Sequence, residues 1–131
     1  MHEASLARAV VTSVTEELAT RDIDGARVSI VHLAVGELSQ VDATSLRFAY
    51  EFAVEETQLR RSRLEIVRIP ARLRCTSCGR ASRFSPEYYF ECSECGGGCQ
   101  VEAGREFEIT GIDLVDPDQV ERGGVCYDRA Y

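Results

Sequence analysis

The stretch Cys75-Thr76-Ser77-Cys78 and its echo Cys92-Ser93-Glu94-Cys95 decide the fold. Each Cys-x-x-Cys hook places two thiolates on one tight turn. Two hooks complete a tetrahedral donor set, which is zinc-ligand spacing. Gly79 follows the first hook and Gly96 the second, and glycine adopts the positive φ that lets backbone N–H groups turn toward the sulfurs. A four-cysteine set leaves no open coordination position, so the metal expected at Cys75, Cys78, Cys92 and Cys95 is a structural Zn(II), with iron as the competing ion. A pair of disulfides or a redox Cys-x-x-Cys is the competing chemistry; a second hook at matching spacing argues against both.

Outward from the hooks, Leu64 to Arg74 reads as a strand running straight into Cys75, and Phe107 to Val115 as a strand leading away after the second hook. Both change phase. Leu64 and Ile66 share one parity while Val67, Ile69, Ala71 and Leu73 share the other; Phe107 and Ile109 give way to Ile112 and Leu114 past Gly111. A phase change marks a bulge or a passage from one core to another. The economical arrangement pairs these two strands with each other, as a two-stranded stalk with the metal module at its tip.

The chain before the hooks supplies the rest of the core. Leu6, Val10, Val14 and Leu18 recur four apart, with Ala9 and Val11 widening the stripe, so about Ala4 to Ala19 is predicted to be an amphipathic helix. Val28 to Val35, rich in Val and Ile, is a predicted strand. Asp42 is an N-cap candidate for a second helix, about Ala43 to Glu55, whose inner stripe is Leu46, Ala49, Phe52 and Ala53 with Tyr50 beside it. The expected fold is therefore α+β: two helices on a small mixed three-stranded sheet, with an inserted zinc-ribbon domain on the stalk. Residues 1–66 and 106–116 are expected to form a discontinuous α/β domain, 67–105 the ribbon, and 117–131, with Pro117 and the Gly123-Gly124 pair, a flexible C-terminal tail.

The net charge of -7 in 131 residues argues against a general nucleic-acid binder. All fifteen basic residues are Arg, and many stand near the hooks, from Arg60 to Arg83. They are read as counter-charge for the thiolates, since four of them on a divalent cation carry about two net negative charges. The start of the chain has acidic Glu3 and no continuous apolar run, and no stretch is long and apolar enough to span a membrane. A soluble, cytoplasmic protein is expected.

Met1-His2-Glu3 stands directly before the first helix. The Met1 α-amine, the His2 amide nitrogen and His2 Nδ1 can wrap one metal, through a five-membered and then a six-membered chelate ring. A deprotonated amide in a tetragonal nitrogen set suits Ni(II) or Cu(II) and suits zinc poorly. With His in second place at least one planar position is left for another donor, such as the Glu3 amide or carboxylate or a partner's group. The motif is not His-Glu-x-x-His, because Leu6 occupies the second histidine's place.

Read together, Met1-His2-Glu3-Ala4-Ser5-Leu6-Ala7, Val35-Gly36-Glu37-Leu38-Ser39, Leu46-Arg47-Phe48-Ala49-Tyr50, Pro70-Ala71-Arg72 and Gly104-Arg105-Glu106 occur in an order that resembles the HypA family of nickel metallochaperones, over about Met1 to Val115. The resemblance implies that the discontinuous α/β domain, 1–66 and 106–116, is nickel-binding and that the inserted module is a zinc ribbon. It implies no catalysis, and work with a HypB-type GTPase to load nickel into the NiFe hydrogenase large subunit. It places transferable Ni(II) at His2 and the N-terminal backbone, with Glu3 adjoining, and Zn(II) at Cys75, Cys78, Cys92 and Cys95. Ala4 (where Leu is usual), Cys99 and the tail with Cys126 depart from the family pattern.

Other residues have plainer readings. His32 is expected on the less apolar face of its strand, Cys126 as a free thiol, and Glu37 and Asp42 in turn and cap roles. Cys99 lies near the second hook, but Gly96 to Gly98 breaks the hook spacing. Two competing functions are a zinc-ribbon nucleic-acid-binding or regulatory protein, resting on the Arg cluster, and a thiol oxidoreductase. The acidic total and the few aromatics near the hooks count against the first.

Overall fold

The computed structural model describes residues 2–121. The fold is α+β. Its elements are α1 (Glu3–Thr20), β1 (Val28–Gly36), α2 (Ala43–Val54), β2 (Arg63–Ile69), β3 (Arg72–Cys75), β4 (Ala81–Arg83), β5 (Cys99–Ala103), β6 (Phe107–Leu114) and α3 (Pro117–Glu121). The strands form two three-stranded sheets, ordered β2-β1-β6 and β4-β3-β5. By packing, the chain divides into two units. The first takes the chain up to Leu33, Val41–Ile66 and the chain from Ile109 onward; the second takes Ala34–Gln40 and Val67–Glu108.

In the first unit α1 packs against α2. Ala7, Val10, Val11, Val14 and Leu18 are its buried residues, a stripe at helical spacing that turns one face inward. Ala9, expected on that stripe, is exposed, and Ala7 takes its place. α2 starts where Asp42 accepts a hydrogen bond from Thr44 N at 3.0 Å, satisfying one of the orphan N–H groups of the first turn. Its buried residues are Leu46, Tyr50 and Val54. Phe52, expected on the inner stripe, is instead 64% exposed and meets Phe48 edge to face at 5.0 Å. The reason is angular: two residues along a helix turn roughly 200°, so burying Tyr50 sends Phe52 outward. Tyr50 wins the inner place because its hydroxyl has a partner there, Ser62 Oγ at 2.6 Å, which in turn donates to Leu59 O at 2.6 Å. Burial pushes the Tyr50 phenol up to about 12, against the opposing pull of the Ser62 bond.

β1 is the most apolar strand, with Val28, Val31, Leu33, Ala34 and Val35 buried, and it takes the centre of its sheet. It therefore stands between β2 and β6, so the expected pairing of Leu64–Arg74 with Phe107–Val115 is not made; β3 pairs antiparallel with β5 instead, a strand the sequence did not single out. Pro70 follows β2 directly. Lacking an N–H, it cannot continue a ladder, which is why the outgoing run divides into β2 and β3. Val115 N donates to Arg27 O and Ser29 Oγ to Asp113 O, so β1 and β6 run antiparallel. His32 is half-buried, with Nε2 3.1 Å from Asp113 Oδ1. Pro117–Glu121, expected within a flexible tail, forms the short helix α3, packed on the 3-10 turn Gly25–Arg27. The remaining tail, with Cys126, lies outside the described residues.

In the second unit the motifs around Gly36, Ala71 and Gly104 meet at one junction, which is why Ala34–Gln40 belongs there rather than with the first unit. Gly36 N donates to Glu106 O and Leu38 N to Gly104 O, each at 2.7 Å. The Glu37 carboxylate accepts from Ala71 N at 2.8 Å, and that of Glu106 from Gly104 N at 2.7 Å. A Cβ on Gly36 would lie 2.1 Å from the Gly104 carbonyl, and one on Gly104 2.6 Å from Ala71 Cα. Gly104 also has φ +117°, which side-chain-bearing residues rarely adopt.

Candidate metal centre

The four hook cysteines come together in the second unit. The sulfurs of Cys75, Cys78, Cys92 and Cys95 all lie within 4.8 Å of one another. Cys75 Sγ is 3.4 Å from Cys95 Sγ, and Cys78 Sγ is 3.7 Å from Cys92 Sγ. Cys75 and Cys92, the first residue of each hook, are buried; Cys78 and Cys95 are exposed.

Each hook is a turn closed by its own backbone. Gly79 N donates to Cys75 O at 3.1 Å and Gly96 N to Cys92 O at 2.9 Å. Both glycines have positive φ, 77° and 74°. That turn aims N–H groups at sulfur: Ser77 N and Cys78 N each stand 3.4 Å from Cys75 Sγ, and Gly97 N stands 3.4 Å from Cys95 Sγ. Such donors favour thiolate over thiol. The Cys78 and Ser77 amides draw the Cys75 thiol down to about 6, and the Cys95 and Glu94 amides draw Cys92 down. Cys95 answers in the other direction. The Gly97 amide lowers it, but hydrogen bonds shared with Cys75 and Cys78 prevail and push it up to about 12. Sulfurs this close cannot all be anionic without a cation among them. Four soft donors, a closed tetrahedral count and N–H groups already aimed at sulfur fit Zn(II).

Beyond the sulfurs, the buried Leu73 and the backbone bonds Thr76 N to Gly98 O, Cys92 N to Gly97 O and Cys99 N to Phe90 O hold this part of the chain. Phe84 meets Phe90 at 5.5 Å and Tyr89 at 6.2 Å, yet Tyr88, Tyr89 and Phe90 are exposed. Two of the arginines near the hooks, Arg74 and Arg80, are engaged with carboxylates. Arg74 Nε lies 2.7 Å from Glu102 Oε2 and Arg80 Nη1 3.8 Å from Glu94 Oε1, while Arg74 Nη1 donates to Gly79 O. The hydrogen bond to Arg74 lowers the Glu102 carboxyl. These pairs weaken the reading of the cluster as a phosphate-binding patch.

Cys99 is a residue whose place the hook spacing did not reveal. It opens β5 directly opposite Cys75 on β3. Its thiol is raised by burial first and then by the neighbouring sulfurs of Cys75 and Cys92.

At the start of α1, His2 is exposed and occupies the N-cap position with extended backbone, φ -74° and ψ 146°. Its carbonyl accepts from Ser5 N and Leu6 N, and its side chain makes no capping bond. Glu3 is half-buried, and its Oε2 stands 3.4 Å from Asp42 N, so this carboxylate links the start of α1 to the residue that caps α2. Met1 lies outside the described residues.

An α+β chain whose four hook cysteines converge on one point belongs to the class of small metal-binding proteins with a four-cysteine module. Comparison with known proteins narrows the class. Residues 1–114 match the model of the HypA family, described as hydrogenase/urease nickel incorporation, metallochaperone, and the chain belongs to that family. It is 34% identical over 117 residues to hydrogenase maturation factor HypA of Roseiflexus sp. (strain RS-1), covering 88% of this chain and 94% of that one. To the HypA of Streptomyces avermitilis it is 37% identical over 117 residues, 88% of each chain. The solution structure of the Ni metallochaperone HypA from Helicobacter pylori shares the fold, with a TM-score of 0.63 at 21% identity over 88% of this chain and 98% of that one. Among the described residues, no helix is long and apolar enough to cross a membrane.

Proposed function

We propose that this chain is a nickel metallochaperone: it binds Ni(II) at its His2 terminus and, with a HypB-type GTPase, delivers it to the large subunit of NiFe hydrogenase. In this reading it is a carrier rather than an enzyme, works in the cytoplasm and has no nucleic-acid partner. Membership of the HypA family supports the nickel cargo. The observation that carries the site is the exposed His2 ring, uncommitted by any capping bond, directly ahead of α1.

The donors are the Met1 α-amine, the His2 amide nitrogen and His2 Nδ1. An exposed imidazole that makes no capping bond is free to turn onto a metal, and a deprotonated amide beside it favours Ni(II) over zinc. Ligation by amide anions also lowers the charge of the complex, which reduces its conflict with the helix dipole. The Glu3 carboxylate accepts from Asp42 N through Oε2, which leaves Oε1 to offer to the metal. A donor from the receiving protein fills the same position, and a site left incomplete can release its metal to a partner.

Cys75, Cys78, Cys92 and Cys95 would hold Zn(II). That ion supplies no chemistry to a closed four-sulfur site; it supplies folding free energy to a module with few apolar side chains. Calorimetry with Ni(II) on the zinc-loaded protein tests the reading. His2→Ala should lose the native nickel isotherm while zinc content stays the same. An unchanged isotherm would move the nickel site elsewhere.

A further inference from the structure

We infer that Cys75 and Cys99 are a thiol pair that closes to a disulfide when a peroxide oxidises the metal centre, removing Cys75 from the ligand set. The inference rests on the reading of the four hook sulfurs as zinc ligands and adds a residue outside them.

The geometry comes from the ladder. β3 and β5 are antiparallel, with Cys75 opposite Cys99. Thr76 N donates to Gly98 O at 3.0 Å, so the neighbouring positions Thr76 and Gly98 are a hydrogen-bonded pair. Cys75 and Cys99 are then the alternate, non-hydrogen-bonded kind. Their own amides agree, since Cys75 N donates to Arg80 O at 2.9 Å and Cys99 N to Phe90 O at 2.8 Å. In such a pair the Cα atoms stand roughly 4.5 Å apart and the side chains share one face at their closest approach. That separation falls within the span of disulfides, about 4.4 to 6.8 Å.

The chemistry follows from what each sulfur is committed to. With a metal bound, Cys75, Cys78, Cys92 and Cys95 are all ligands. Among the described residues, Cys99 is the one cysteine outside that set. It lines an open groove of about 420 Å³ with Phe90, Gln100, Val101 and Arg105, wide enough to admit a peroxide. A peroxide in that groove meets Cys99: its sulfur attacks one peroxide oxygen, the O–O bond breaks, and Cys99 becomes a sulfenic acid as water (or an alcohol) leaves with the thiol proton. The Cys75 thiolate then attacks the Cys99 sulfur, the S–O bond breaks, and hydroxide leaves. Two electrons pass from the two sulfurs to the peroxide, and three ligands remain where there were four. A dithiol reductant reverses the step.

The test uses the zinc-loaded full chain with Cys126→Ser, its zinc content measured before oxidation. Hydrogen peroxide is added, zinc release is followed with a chromogenic chelator, free thiols are blocked, and the linked peptides are sequenced by mass spectrometry. A Cys75–Cys99 link should be the first product. Cys99→Ser, and Cys99→Ala as a second variant, should hold full zinc beforehand and lose it severalfold more slowly under peroxide. A first product linking Cys75 to Cys78 or Cys95, or Cys92 to Cys95, would overturn the inference, as would equal release rates with and without Cys99. If the variants do not fold, the link found in the Cys99-containing protein still decides. A protein that holds no zinc before oxidation would contradict the zinc reading instead.

Discussion

Gly36→Ala should cripple the second unit, and its cost can be worked from the contacts. A Cβ at Gly36 would sit 2.1 Å from both the carbon and the oxygen of the Gly104 carbonyl and 2.6 Å from Arg105 N. These are backbone atoms, so no rotamer change relieves the clash. Restoring ordinary contact, at about 3.5 Å, requires the two segments to part by about 1.4 Å. The same separation would break the bonds that hold them, Gly36 N to Glu106 O and Leu38 N to Gly104 O, each 2.7 Å. Two backbone hydrogen bonds at about 1 kcal/mol each, together with overpacking of about 1 to 3 kcal/mol, give a loss of about 3 to 5 kcal/mol. Gly111→Ala is the control, since its Cβ would meet nothing nearer than His32 Cδ2 at 3.9 Å; it should stay within about 0.5 kcal/mol of the native protein. Urea unfolding of zinc-loaded protein, followed by circular dichroism, measures both. If Gly36→Ala costs no more than Gly111→Ala, the close approach of these backbones is not what orders the junction.

Two further predictions concern the separate units. Tyr50→Phe should be less stable than the native protein at pH 8 by about 1 kcal/mol, for the lost bond to Ser62, and should lose that disadvantage in alkali. The Tyr50 phenol is raised from 10.0 to about 12, so native stability is whole below pH 10 and falls as pH rises toward 12, by about 1.4 kcal/mol per pH unit. Urea midpoints of the two proteins from pH 8 to 11.5 should converge and cross; parallel curves would show that the phenol is not held neutral by burial. Cys92→Ser should lose zinc and the native spectrum of the second unit while keeping the helical signal of α1 and α2, because the Phe84 cluster alone is too small a core. A mutant with full zinc and native spectrum would refute the four-cysteine assignment.

What was legible in the sequence was what is local. The hooks and their glycines specify a four-sulfur turn geometry within a few residues. The stripe Val10, Val14 and Leu18 needs only helical spacing, and Asp42 needs only the first turn of α2. What was not legible depends on partners far along the chain. Tyr50 displaces Phe52 from the inner face because Ser62 waits for its hydroxyl. β1 separates β2 from β6 because a central strand must be apolar on both faces, a comparison no single strand reveals. Cys99 read as off-pattern by hook spacing, yet the β3–β5 register sets it against Cys75. Gly36 and Gly104 lie far apart in the sequence, yet they are two sides of one contact.

The central claim is that nickel is held by the chain terminus, and one titration tests it most directly. Ni(II) is added to untagged, zinc-loaded protein and to the same protein with one glycine placed before Met1. The heat of binding and the absorbance of the metal are followed together. The extension turns the Met1 amine into a peptide nitrogen and leaves His2, α1 and every hook residue unchanged. The account predicts that the extended form loses the native isotherm and the absorbance of a planar nitrogen site, at equal zinc content. Equal affinity and an equal spectrum in the two forms would contradict it and remove the amine from the site.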